Sequence, residues 1–333
     1  MDSLTQIALG SAVCVAVMGR RTAVWKSALC GAVAGTLPDL DALIDHGDAI
    51  SNMVLHRAES HALFLLTLAA PVFAWLVARG RDFMRWWLAL WLVLVTHPLL
   101  DTMTVYGTQL LQPFSNYPFG VGSVFIIDPA YTLPLIIGVA AAWRCRDLAR
   151  GLRWNMVGLA LSTAYLGWSV LAQQHVEQRA RASLSEQGVS AQRVLVTPAP
   201  LQTLLWRVVA LPDDPADPKF QEAYVSVLDG QSPVQWEAHA RGSELLIEHA
   251  ASAPVARLTA FSHGFVKGAI APDGQLRITD LRMGQEPHYV FSFDLGLPDA
   301  VGQAPATQVS ARPPVGPTLR WIGQRMWGPA ARQ

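Results

Sequence analysis

Seven side chains on three short stretches carry the chemistry this sequence can offer. Asp39, Asp41 and Asp45 lie in PDLDALIDH (38–46), His56 and His61 in HRAESH (56–61), and His97 and Asp101 in THPLLDTMTVYGT (96–108). Carboxylate and imidazole in that mixture suit hard-to-borderline divalent cations, with zinc, manganese and iron all compatible. His97 and Asp101 are four apart, so a helix stacks them on one face, where they can hold one ion together. Pro98 between them is tolerated at a helix start or a braced kink. Asp41 and Asp45 share the same spacing. Asp39 joins Asp41 only if Pro38 opens a new, irregular turn. His56 and His61 are five apart, which places His56 in a loop and His61 at the mouth of the next helix. Arg57 has the planar fork that clamps an anion such as a phosphate. Glu59 reads as a general base or as a solvated loop carboxylate. Asp45 and His46, beside Gly47 and Asp48, read as loop residues.

These polar groups sit among long apolar runs. The chain has 333 residues, 51% of them hydrophobic and only 15% charged, with mean hydropathy +0.27. The average hides two regimes. Up to about position 172 the apolar runs dominate, and from Gln173 onward the composition is mixed and polar. Zero formal net charge argues against a nucleic-acid surface. Many of the 12 Trp lie at the ends of apolar runs, as in an interfacial belt. The 3 cysteines match no metal or redox spacing and read as small packing residues. Asp2, where a secretory signal would carry basic residues, argues against a cleaved signal peptide.

Six candidate spans follow: 4–19, 27–44, 62–78, 86–101, 127–143 and 152–172. Cations cluster in alternate connections, with Arg20, Arg21 and Lys26 in the first, Arg79, Arg81 and Arg85 in the second, and Arg144, Arg146, Arg150 and Arg153 in the third. If these face the cytoplasm, the positive-inside rule holds throughout. Every acid and histidine cluster of the first half, and everything beyond 172, then faces outward. The expected fold is a mainly α polytopic membrane bundle of about six spans over 1–172. A helical linker over 173–189 and a small mostly-β extramembrane domain over 190–298 follow. VLVTPAPLQTLLWRVVAL (194–211), EAYVSVLDG (222–230), LRITDLRMG (276–284) and HYVFSFDLG (288–296) read as strands. His175, His239, His249, His263 and His288 have no ligand spacing. The tail, 299–333, reads as disordered or as lying on the membrane surface.

Four segments together, LTQIALG (4–10), PDLD (38–41), HRAESHA (56–62) and HPLLDTMTVYG (97–107), resemble the inner-membrane-associated metal-dependent hydrolases, also described as LexA-binding membrane hydrolases. The resemblance covers roughly 1–143, and IIDPAYTLPL (126–135) fits a longer subgroup with an extra outer domain. It implies metal-site residues Asp39, Asp41, His56, His61, His97 and Asp101, supported by Arg57, Thr104 and Gly107, with Asp128 a further candidate. The chain departs from the family pattern at Gln6, where many members have His, and at Ala58, Glu59, Ser60 and Ala62, although Ser60 keeps a hydroxyl.

The functional expectation is a metal-dependent hydrolase. Its divalent metal, zinc with manganese or iron as alternatives, would act on an ester or phosphoester of a membrane lipid or lipid-linked substrate at the outer face of the inner membrane. Arg57 and Glu59 would serve catalysis. The rival is a non-catalytic cation-binding membrane protein, a transporter or sensor using the same cluster. A membrane anchor presenting the C-terminal domain is a third reading.

Overall fold

The computed structural model describes residues 1–328 and divides the chain into two compact units, Met1–Ile44 with His56–Ser169, and Asp45–Leu55 with the residues from Val170 onward. The first unit is helical. It contains α1 (Ser3–Met18) and α2 (Val24–Thr36), a 3-10 turn (Pro38–Leu43), and, after the segment that holds α3 (Ala49–Leu55), a second 3-10 turn (Glu59–His61). Next come α4 (Leu63–Ala78), α5 (Phe83–Asp101), α6 (Pro129–Arg144) and the first part of α7 (Leu148–Glu186).

α1 is the central element, packed against α2, α5 and α6. Asp2 caps it by accepting from the amides of Leu4 and Thr5, which satisfies donors a helix start leaves open. The contact with α2 has almost no side chain in it. A Cβ on Gly31 would meet the Gly10 carbonyl oxygen at 2.1 Å, and one on Gly35 would meet that of Gln6 at 2.8 Å. Small residues four apart bring two helix backbones together in this way inside a membrane. Around this contact Cys14, Met18, Trp86, Leu90 and Val93 form one apolar cluster, and Leu9, Ala12, Leu100, Tyr131 and Leu135 another.

The expected six spans are not found. Among the described residues two helices, α5 and α7, are long and apolar enough to cross a bilayer, or up to three spans if the bent pair Ala49–His61 and α4 counts as one. α1, α4 and α6 have 16 residues each and α2 has 13, so none reaches the roughly 20 apolar residues of a full crossing. The run at 27–44 stops being α-helical at Thr36, because Pro38 cannot donate to the helix ladder and the chain tightens into the 3-10 turn.

The second unit is built on two four-stranded antiparallel sheets. One, in the order β1-β2-β3-β4, contains β1 (Arg193–Pro198), β2 (Leu205–Leu211), β3 (Lys219–Ser226) and β4 (Trp236–Ala240). After α8 (Ser243–Glu248) and α9 (Ala253–Phe261) come β5 (Val266–Ile270), β6 (Leu276–Asp280), a small hairpin of β7 (Gly284–Gln285) and β8 (His288–Tyr289), β9 (Ser292–Asp294) and β10 (Thr307–Gln308). The second sheet has the order β10-β9-β6-β5. Val209, Leu211 and Phe220 pack with Phe265, Leu281 and Tyr289 in one core. Within it the Arg207 guanidinium meets Glu222, the Leu281 carbonyl and the Tyr289 hydroxyl. Burial opposes the charge on Arg207, but Glu222 and Tyr289 outweigh it and hold the group above its ordinary range.

The helical segment expected over 173–189 is the continuation of α7, which runs to Glu186 and buries Ala172, Val176 and Ala180 against Val196, Trp206 and Val208. Within the tail, expected to be disordered or to lie on the membrane surface, Val315–Met326 forms α10, whose Ile322 packs on Ala199 and Leu205 while Arg325 pairs with Asp229 at 2.7 Å. Residues 329–333 of the tail lie outside the described residues. α3 also belongs to this unit. It packs on α9 and β10, and Arg257 reaches the Ser51 hydroxyl.

Replacing Gly31 by Val inserts two methyl groups and a Cβ into the α1–α2 contact. The thermal midpoint in detergent is expected to fall, at a cost of at least the roughly 1–3 kcal/mol of an overpacked core, whereas Gly167→Ala, with open space around its Cα, leaves it nearly unchanged.

Candidate metal centre

Each ligand-bearing residue is placed by an interruption of helix. Pro38 starts the 3-10 turn that carries Asp39 and Asp41. Arg57 adopts a left-handed backbone (φ 66°) just before the second 3-10 turn, which ends on His61. His97 and Asp101 occupy the last turn and a half of α5, one helical turn apart, with Pro98 between them.

Asp39, His61, His97 and Asp101 each present one ligand atom, and those four atoms lie within 4.8 Å of one another. His61 Nε2 is 3.2 Å from His97 Nε2, 3.4 Å from Asp39 Oδ1 and 3.3 Å from Asp101 Oδ2. His97 Nε2 is 3.4 Å from Asp39 Oδ1 and 3.5 Å from Asp101 Oδ2. Zinc–ligand bonds of about 2.0–2.2 Å in a tetrahedron give ligand–ligand edges of about 3.3–3.6 Å. Four of the five distances fall in that range, and the fifth, between the two imidazole nitrogens, is 3.2 Å.

The hydrogen-bond pattern fits a cation too. His97 Nδ1 lies 2.7 Å from the Gly35 carbonyl oxygen. A carbonyl only accepts, so Nδ1 carries the proton and the neutral ring turns the Nε2 lone pair toward the other ligands. Asp101 Oδ2 is buried and has no hydrogen-bond partner, and Arg57 Nε and Gln6 Oε1 share that condition. Asp101 Oδ2 has the Arg57 Nε at 3.3 Å as a cationic neighbour but makes no well-aligned hydrogen bond, so it keeps a lone pair for an ion on the side of the two imidazole nitrogens. The donor set therefore suits one divalent ion. His61, His97 and Asp101 are at most 1% exposed, whereas the Asp39 side chain is 21% exposed and forms the open edge.

The other predicted site residues are arranged differently. Asp41 and His56 are not in the four-ligand group. Asp41 Oδ1 accepts from His56 Nδ1 at 2.8 Å, and its Oδ2 accepts from the Arg57 amide and the Ser60 hydroxyl. Asp41 thus ties the two ligand-bearing turns together. Arg57 is 3% exposed, with Nε 3.3 Å from Asp101 Oδ2, Nη1 hydrogen-bonded to Thr104 and its guanidinium over the Tyr106 ring. Its fork serves the Asp101 carboxylate and is not presented to a substrate. Glu59 is exposed, and among the described residues it is joined to none of the four ligands. Asp45 accepts from the Gly47 amide and Asn52 as a loop residue, and Asp128 caps α6 and meets the Tyr165 hydroxyl.

Sequence reasoning missed Met1 and Gly35 and read Gln6 only as a departure from the family pattern. Gln6 replaces a potential ligand but donates to Asp101 Oδ1 at 3.0 Å and to the His97 carbonyl, so it positions a ligand-bearing turn. The α-amino group of Met1 also lies against Asp101 Oδ1. Gly35 supplies the carbonyl that orients His97, and the small-xxx-small spacing of Gly31 and Gly35 was the legible signal for it.

A helical apolar unit carrying a buried His/Asp group defines a membrane protein with a potential metal site. Residues 1–176 match the family described as YdjM inner membrane protein, and the chain belongs to that family, which is the one its motifs resemble. A Bacillus subtilis (strain 168) relative, described as uncharacterized protein YfhP, is 26% identical over 149 residues. That match covers 42% of this chain and 46% of the relative, so the chain spans about half the length of the curated relative it matches. No solved structure matches.

Purified protein exchanged into zinc is expected to retain about one equivalent by elemental analysis, falling to background in His61→Ala and His97→Ala. Glu59→Ala keeps the wild-type content, and loss there would contradict the ligand assignment.

Proposed function

We propose that the protein is a metal-dependent hydrolase of the inner membrane, acting on an ester or phosphoester of a lipid or lipid-linked molecule at the outer face. The observation that carries this reading is the Asp39, His61, His97 and Asp101 group, with near-tetrahedral edges and one open side. Asp39, His61, His97 and Asp101 would hold a divalent ion, with zinc the best match to the edge lengths and manganese or iron chemically allowed. Such an ion, when bound, activates water and stabilises the charge that develops on an ester or phosphoryl oxygen.

The residues around it divide the remaining work. Arg57 balances Asp101, which lets a buried carboxylate stay ionised. Asp41 accepts from His56 Nδ1 and leaves the Nε2 of that ring able to take a proton. The His56 side chain is 24% exposed, so the ring is open to water, and it suits general-base work better than the exposed Glu59. His56 and Tyr106 also meet edge to face, with ring centroids 5.6 Å apart.

A lipid substrate is supported by the rim. Leu40, Leu43 and Ile44, on or just after the turn that carries Asp39, are 54%, 83% and 57% exposed. Leu111, Phe114 and Tyr117, in the loop hydrogen-bonded to the Arg57 backbone through Gln109, are 47%, 77% and 51% exposed. Phe114 stands edge to face with Phe64 in the first turn of α4, with centroids 5.4 Å apart. Large apolar side chains on loops beside membrane helices suit an acyl-chain environment. The outer-face assignment rests on Arg79, Arg81 and Arg85 just before α5, one of the helices long enough to cross, which would keep its start on the cytoplasmic side and put its far end, with His97 and Asp101, on the outer one.

The test uses protein in phospholipid nanodiscs, with headgroup or fatty-acid release followed by mass spectrometry. Release is expected with Zn²⁺ or Mn²⁺ and not with chelator, and His97→Ala is expected to be silent. Equal release in all three overturns the hydrolase reading. Metal-loaded protein that hydrolyses nothing but passes the ion across vesicles would move the assignment to the transporter class.

A further inference from the structure

We propose that Ser60 is a positioning residue that decides which nitrogen of His61 faces the metal site, a role that rests on the metal-binding reading above. The Ser60 hydroxyl lies between two groups. Its oxygen is 2.5 Å from Asp41 Oδ2 and 2.8 Å from His61 Nδ1. Asp41 is an acceptor on both oxygens, because Oδ1 receives from His56 and Oδ2 also receives from the Arg57 amide. The short contact to Ser60 therefore contains the hydroxyl proton, donated to Asp41.

One hydroxyl has one proton. With it directed at Asp41, the Ser60 oxygen can only accept from His61, so Nδ1 of that ring carries hydrogen. The reverse arrangement would aim the hydroxyl at His61 and leave two bare oxygens 2.5 Å apart. Asp41 itself is 3.5 Å from His61 Nδ1, too long for a good direct bond, so the hydroxyl closes the gap. The nitrogen left to coordinate is Nε2, which is the one 3.2 Å from His97 Nε2.

The two histidines are thereby oriented by different means to the same end. His97 uses a backbone carbonyl, whereas His61 uses a side chain that mutation can remove. Partners on the far nitrogen of a ligand histidine typically change metal affinity about 10–100-fold. The arrangement also gives Asp41 a role without direct ligation, as the acceptor at the head of the Asp41–Ser60–His61 chain.

The experiment compares full-length wild type, Ser60→Ala, Ser60→Thr and His97→Ala in detergent. Zn²⁺ affinity is measured by competition with a chromophoric chelator, and the His61 Nδ1–H resonance is followed by NMR on histidine-labelled protein, assigned with His61→Ala. Ser60→Ala is expected to weaken Zn²⁺ binding about 10–100-fold and to lose the slowly exchanging Nδ1–H signal. Ser60→Thr, which restores a hydroxyl, recovers both. Wild-type affinity together with an unchanged Nδ1–H signal in Ser60→Ala overturns the proposal. Wild type that binds no Zn²⁺ yet shows the Ser60-dependent signal overturns the metal reading and supports the hydrogen-bond assignment.

Discussion

Two imidazole lone pairs and two carboxylate oxygens converge on one point inside an apolar bundle, and the rest of the first unit is arranged around that convergence. Burying these groups costs their hydration, and no hydrogen bond of good geometry satisfies Asp101 Oδ2. The surrounding structure limits the cost from behind. Arg57 and Gln6 face the two Asp101 oxygens, and Gly35 faces the far nitrogen of His97. Those supports depend on close backbone approach, since the Gly35 carbonyl belongs to a helix pressed against α1 through glycine. A packing detail of two helices therefore reaches the orientation of a ligand.

The same convergence accounts for the short helices. Side chains from α2's end, the turn at 59–61 and the end of α5 can meet only if the chain stops being helical at membrane depth. Non-helical backbone is tolerated there where it lines a polar cavity or is buried in protein. Pro38, the left-handed Arg57 and the two 3-10 turns are the places where this happens. The backbone groups they free find partners. The Arg57 carbonyl accepts from Gln109, and the Leu63 amide donates to Leu110. An apolar run and a spanning helix are consequently different things in this protein.

That difference marks where the sequence was informative. The i,i+4 pair His97 and Asp101 was readable from spacing alone, and so were the strands around 194–211 and 276–296. Asp39 and His61 were identified as ligands by motif, and the structure brings both into the group. The separation of Asp41 and His56 from the other four was not readable, because ligand and orienting partner use the same residue types and only distance tells them apart. Arg57 misled for a related reason. A guanidinium beside an acidic motif fits a phosphate as well as a carboxylate, and burial at 3% exposure decides for Asp101. Counting spans failed because composition registers apolar length and is insensitive to a 3-10 turn inside it.

The departures at 58–62 look different once the geometry is known. Ala58 and Ala62 are fully buried, so small side chains there are a packing requirement, and Glu59 points to solvent, where its identity is free. Ser60 is the one position of the four whose side chain touches a ligand, and it is also the one that keeps a hydroxyl. Six ligands for two ions would have made any change near His56 or Asp41 a loss of metal. In the proposed arrangement of four ligands for one ion, Asp41 would act through Ser60 on one side and through His56 on the other, so that a single carboxylate touches the partners of both rings. Among the four residues of the group Asp39 is the one partly exposed, so an ion held there would be approached from the side where Leu40, Leu43 and Ile44 stand exposed.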